Sequence, residues 1–192
     1  KHRVNDSSGL QSTSPNLGVE VDVRSAGSSL VLAHDPFSRG ESLEAWLDHY
    51  DHRFLIVNVK EEGLEESIRV ALNRVNIQEW VFLDQTFPFM VRGLSSGFTN
   101  SMVRVSEFES SQTALQLDPR PDWVWLDSFS RFSIGPEELA MLKAAGYQLM
   151  VVSPELQGRE LATEIRLIRA SFEQANIAID GVCTKKPEIW AT

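Results

Sequence analysis

Glu20 and Asp22 stand two residues apart in the run Gly18–Arg24 (GVEVDVR), so on a strand both side chains leave the same face. Two carboxylates on one buried face are costly unless a cation lies between them, and oxygen donors of this kind suit a hard divalent metal, Mg²⁺ or Ca²⁺. A solvent-exposed strand face explains the same spacing without chemistry. Two histidines flank the pair: His2, followed by Arg3, and His34, followed by Asp35 after the short apolar run Leu30–Leu32. Either is a candidate proton carrier, although a solitary histidine is more often structural. Lys60 closes an otherwise apolar run, where a long cation is unwelcome unless its ammonium reaches a polar site. Asp84 and Asp127 also end apolar runs.

These residues sit at the ends of a repeated element. Short runs rich in Val, Ile, Phe and Trp recur at residues 18–24, 54–60, 79–85, 101–106, 122–128, 147–153 and 179–185. Their length and composition predict strands. Helical periodicity fills most of the gaps: Leu43, Trp46, Leu47 and Tyr50; Leu64, Ile68, Ala71, Leu72 and Val75; Leu161, Ile165, Ile168 and Phe172. Pro136 with Glu137 and Glu138 predicts a further helix start, and Gly146 its stop. The 87–100 stretch, with Pro88, Gly93 and Gly97, predicts only a short helix. Seven strands alternating with helices imply a parallel α/β sheet buried on both faces. A doubly wound sheet is one solution, but no glycine-rich phosphate loop follows the first strand. With an eighth strand leading into Lys1-His2 the count becomes that of a (β/α)₈ TIM barrel, whose strands carry active residues at their C-terminal ends. Trp123 and Trp125 then read as a buried layer. Phe87, Phe89, Phe129 and Phe132 read as loop packing or an apolar rim.

Composition narrows the classes. The 192 residues are 42% hydrophobic and 23% charged, ordinary for one globular domain over 1–192. No apolar run exceeds four residues, so no integral membrane segment is expected. A net charge of −9 without a basic patch speaks against nucleic acid as a partner. The single cysteine, Cys183, excludes an internal disulfide and suits a reducing, cytoplasmic location.

Taken in order, His2-Arg3-Val4-Asn5, Gly18-Val-Glu20-Val-Asp22-Val, His34-Asp35, Asn58-Val-Lys60 and Gly181-Val-Cys183-Thr-Lys185-Lys186-Pro187-Glu188 resemble the glycerophosphodiester phosphodiesterase superfamily. That group shares its PLC-like barrel with spider-venom sphingomyelinase D, and the His-x-Val-Asn form is nearer the venom branch. The resemblance implies a compact (β/α)₈ TIM barrel acting on a small phosphodiester. It implies Mg²⁺ or Ca²⁺ held by Glu20 and Asp22, His2 and His34 as an acid–base pair, and Arg3 and Lys60 on the phosphate. Lys185 is a weaker phosphate candidate, since the family usually has aspartate there. The family's third metal carboxylate is replaced by Asn58, an amide that ligates such ions more weakly, and Asp84 is an alternative third ligand. The family's inserted subdomain is absent from the short segment between His34 and Phe54. Hydrolysis of a glycerophosphodiester is the expected activity. Intramolecular transfer releasing a cyclic phosphate, or binding of a phosphorylated ligand without turnover, are its alternatives.

Overall fold

Each of the seven apolar runs folds as a strand, and the helical patterns between them fold as helices. The computed structural model describes residues 1–191. The chain divides into two compact units, Lys1–Arg92 and a second beginning at Gly93.

The first unit opens with a short helix α1 (Ser7–Ser12), capped by the Asp6 carboxylate accepting from the Gly9 N–H. Then come β1 (Val19–Ala26), β2 (Ser29–Leu32), β3 (Glu41–Ser42), α2 (Leu43–Leu47), β4 (Leu55–Val59), α3 (Glu65–Arg74) and β5 (Trp80–Leu83). The sheet order is β3-β2-β1-β4-β5. The β1, β4 and β5 strands run parallel, whereas β2 and β3 form an antiparallel extension that the apolar run Leu30–Leu32 only hints at. Every residue of β4 and β5 is buried, which is why these strands read as unbroken apolar runs. Ile68, Ala71 and Leu72 turn one stripe of α3 into the core.

The helix α4 (Phe87–Ser95) spans the boundary between the units. The second unit holds β6 (Met102–Val105), α5 (Ser111–Gln116), β7 (Trp123–Leu126), α6 (Pro136–Ala144), β8 (Gln148–Val152), a 3₁₀ turn at Pro154–Gln157, α7 (Leu161–Gln174), β9 (Gly181–Cys183) and α8 (Pro187–Trp190). Its four strands are all parallel, in sequential order. Glu160 caps α7 on the Ala162 and Thr163 N–H groups, and Ile165, Ile168 and Phe172 form its buried stripe. Trp123 and Trp125 are buried, while Phe87 and Phe129 are exposed.

Of the expected TIM barrel, the structure shows the parallel, helix-alternating architecture; among the described residues neither sheet closes on itself. The eighth strand expected at Lys1-His2 is present as main-chain pairing rather than as a regular strand. Glu20 N–H donates to the Lys1 carbonyl (2.9 Å) and Val4 N–H donates to the Glu20 carbonyl (2.8 Å). Between them Arg3 takes a left-handed conformation (φ 52°), which breaks the ladder for one residue and swings its N–H out of register.

Candidate active site

The β1–β4 register builds the floor of the site. Asp22 lies opposite Asn58, and Glu20 opposite Ile56. Alternation along each strand therefore turns Glu20, Asp22, Asn58 and the following Lys60 to one face. Both carboxylates are 1% exposed, so the exposed-face explanation of their spacing does not hold. The Asn58 amide donates to Glu20 Oε1 (3.3 Å), and Lys60 Nζ lies 3.1 Å from Asp22 Oδ1.

The bulge at Arg3 supplies the second wall. The displaced Arg3 N–H donates to Glu20 Oε2 (2.7 Å), and His2 Nε2 lies 3.8 Å from the same oxygen. Arg3 sends its guanidinium toward the opposite side, with Nε 3.7 Å from Asp22 Oδ2 and Nη2 2.5 Å from His34 Nε2. Arginine can only donate, so His34 Nε2 accepts; the ring proton then sits on Nδ1, which donates to Asp35 Oδ1 (2.7 Å). In this arrangement the Nε2 lone pair of His34 is directed at the Arg3 guanidinium.

All seven candidates, His2, Arg3, Glu20, Asp22, His34, Asn58 and Lys60, thus join one hydrogen-bonded or ion-paired group drawn from four stretches of chain. Asp84 follows β5 with a left-handed backbone (φ 57°), and Asn58 is in register with Asp22. Lys185 belongs to the second unit, where its N–H donates to Glu155 (3.0 Å).

Sequence reasoning passes over three participants. Asn5 grips Asp22 twice, donating from Nδ2 to Oδ2 (2.8 Å) and accepting the Asp22 N–H at Oδ1 (2.9 Å). Its place in His2-Arg3-Val4-Asn5 is the one signal that could have found it. Arg24, next on the same face of β1, and its partner Glu61 bear on His34 and carry no motif.

Glu20 shows what the arrangement lacks electrostatically. Complete burial, and then repulsion from Asp22, push its carboxyl from 4.5 up to about 7 against the lowering effects of Arg3 N–H, Asn58 and Lys60. The buried Asn58 Oδ1 has no hydrogen-bond partner among the described residues, and Asp22 Oδ1 has only the ion pair with Lys60, without hydrogen-bond geometry. Two buried carboxylates, one of them resisting ionisation, and a spare amide oxygen fit a divalent cation. Among the described residues no group of three or more His, Cys, Asp and Glu side chains is placed to hold a metal.

The Lys60–Asp22 pair gives Lys60 a part in stability. In a chain without bound cation, Lys60→Met leaves a buried carboxylate facing an alkyl group, and we expect a stability loss on the order of 2 kcal/mol in urea titrations. Unchanged stability would show that the pair is incidental.

No protein-family model and no curated protein matches the sequence. Solved structures do match in fold, and two of them carry the name of glycerophosphodiester phosphodiesterases. A protein of Agrobacterium tumefaciens C58 assigned as a glycerophosphoryl diester phosphodiesterase superposes with a TM-score of 0.68 at 14% identity, covering 98% of this chain and 93% of its own. A glycerophosphodiester phosphodiesterase of the same organism superposes with a TM-score of 0.62 at 13% identity, covering 91% and 86%. At these identities the likeness is one of fold, and it agrees with the resemblance carried by the motifs.

Proposed function

We propose that this protein is a phosphodiesterase that hydrolyses a glycerophosphodiester or similar small phosphodiester with Mg²⁺ or Ca²⁺. The observation that carries this reading is the convergence of Glu20, Asp22, Arg3, Lys60 and two imidazoles on one strand face. The (β/α)₈ barrel of the resemblance belongs to the same proposal. Glu20, Asp22 and Asn58 Oδ1 would hold the cation, which when bound supplies Lewis-acid polarisation of a phosphate oxygen. Arg3 and Lys60 would turn to the phosphate and neutralise charge building on its equatorial oxygens. An anionic substrate taking up the Arg3 guanidinium uncovers His34 Nε2. This lone pair then removes a proton from the attacking water as its oxygen bonds to phosphorus. The ester P–O bond breaks on the far side, and His2 gives a proton to the departing alkoxide. Asp35, on His34 Nδ1, keeps the base in the required tautomer.

A second reading is favoured by Asn5, which completes the His-x-Val-Asn form and is seated on Asp22. In it a substrate hydroxyl takes the place of water and a cyclic phosphate leaves. The two products have distinct phosphorus NMR shifts.

The cation site is tested by calorimetry. Asn58→Asp places a third carboxylate beside the pair, and we expect cation binding to tighten ~10-fold, or ~1.4 kcal/mol. Should Asp84→Asn abolish binding while Asn58→Asp leaves it unaltered, Asp84 and not Asn58 is the third ligand.

A further inference from the structure

The even-numbered residues of β1 do not stop at the two carboxylates. Arg24 follows Asp22 on the same face, and its guanidinium directs two donors, Nε and Nη2, at the backbone carbonyl of His34 (3.1 Å each). The third nitrogen, Nη1, lies 3.2 Å from Glu61 Oε1. The other Glu61 oxygen is held by Ser25, through its N–H (3.2 Å) and its hydroxyl (2.5 Å). Ser25 hydrogen bonding leads the causes that hold the Glu61 carboxyl below its usual range.

A role confined to joining β1 to the chain beyond β4 would use the geometry arginine does best, two parallel N–H donors on one carboxylate. Instead Glu61 receives a single nitrogen, and the fork is spent on one peptide oxygen. That oxygen belongs to a residue whose ring has no packed cavity to orient it, since its side chain is 39% exposed. The chain just before it is pinned by Ala33 N–H on the Asp22 carbonyl (3.0 Å). Beyond it the chain turns through Phe37, fully exposed in a left-handed conformation (φ 62°), and returns at Gly40, where a Cβ would fall 2.1 Å from the Leu32 carbonyl. His34 therefore lies at the mouth of a strained loop, and its orientation depends on the polar contacts that tie it down.

We propose that Arg24 and Glu61 are positioning residues that fix His34 through its own peptide carbonyl, aiming Nε2 into the site. The proposal rests on the phosphodiesterase reading for its catalytic consequence but not for its structural one. One strand would then set both the cation ligands and the base, so that their separation is built into β1.

The test uses the full chain labelled with ¹⁵N-histidine, the His34 ring signals assigned by their loss in His34→Gln. In the wild type these signals report the Nδ1–H tautomer. In Arg24→Met they are expected to move toward averaged tautomers, and in Glu61→Gln to move the same way by less. Turnover of a phosphodiester should fall ~10–100-fold in kcat for Arg24→Met with KM within a few-fold, as expected of a misplaced catalytic group. Arg24→Lys, which has no fork, should not restore it. Glu61 is half-exposed, its side chain 34% accessible, so Glu61→Gln decides the matter if Arg24→Met does not fold. His34 signals identical to wild type in the folded variants overturn the proposal, whatever happens to activity, because any loss then arises elsewhere. Moved signals with unchanged kcat overturn its catalytic part. If the wild type turns over no phosphodiester, moved signals still uphold the clamp, and it is the phosphodiesterase reading that fails.

Discussion

Replacing His34 with alanine should lower kcat by ~10²–10⁴-fold while leaving the fold intact, and His2→Ala should do the same. The expectation for His34 follows from its hydrogen bonds. With Asp35 on Nδ1 and Arg3 on Nε2, the ring presents its lone pair where the guanidinium, and so an anion attracted to it, resides. Removing the ring takes away the base and leaves the Arg3 guanidinium its carboxylate neighbour, Asp22. His2 is placed by the pairing of Lys1–Val4 with β1 and stands by Glu20, whereas Lys60 pairs with Asp22. Steady-state kinetics on both variants is the check. Activity within a few-fold of wild type in both would remove the two-histidine mechanism.

The second large effect is on stability. Glu20 has its carboxyl raised from 4.5 to about 7, chiefly by burial. Between those values the folded chain holds a proton that the unfolded chain has released, so the folded state binds more protons and stability falls as pH rises. Below pH 4.5 the penalty is absent, and above pH 7 it is complete, on the order of 3 kcal/mol. In urea titrations with chelator present, Glu20→Gln should therefore be more stable than wild type at pH 8 by about this amount and nearly equal to it at pH 4.5. Divalent cation should invert the order at pH 8, since only the wild type retains the carboxylate that binds it. A Glu20→Gln variant less stable than wild type at pH 8 in chelator would show that the carboxylate is better paired than its surroundings indicate.

How much of this site can be read from the residues depends on the kind of interaction that builds it. Glu20 and Asp22 are legible because strand alternation alone puts them on one face, and Lys60 because an ammonium at the end of an apolar strand needs a reason. The seven parallel strands are legible for a related cause: buried on both faces, they are written as continuous apolar runs. The antiparallel β2–β3 extension is not, since β3 has two residues and pairs through backbone alone. Arg3 is readable as a cation for phosphate, yet its left-handed backbone, which delivers an N–H to Glu20, has no composition signal in a non-glycine residue. Asn5, Arg24 and Glu61 are silent for another reason. They act on main-chain groups or on partners ten to 37 residues away, and such contacts exist only once β1, β2 and β4 are assembled.

In the proposed reaction this strand face cleaves a phosphodiester with the help of a divalent cation. Phosphorus NMR of the protein with a panel of glycerophosphodiesters, in Mg²⁺ or Ca²⁺ and then in excess chelator, tests it most directly. The diester signal is expected to give way to a monoester signal, chelator to stop the conversion, and His34→Ala to slow it by at least ~100-fold. Diester signals that persist unchanged with wild-type protein in both cations, while inorganic phosphate still binds at Arg3 and Lys60, would contradict it and leave a protein that holds phosphorylated ligands without turning them over.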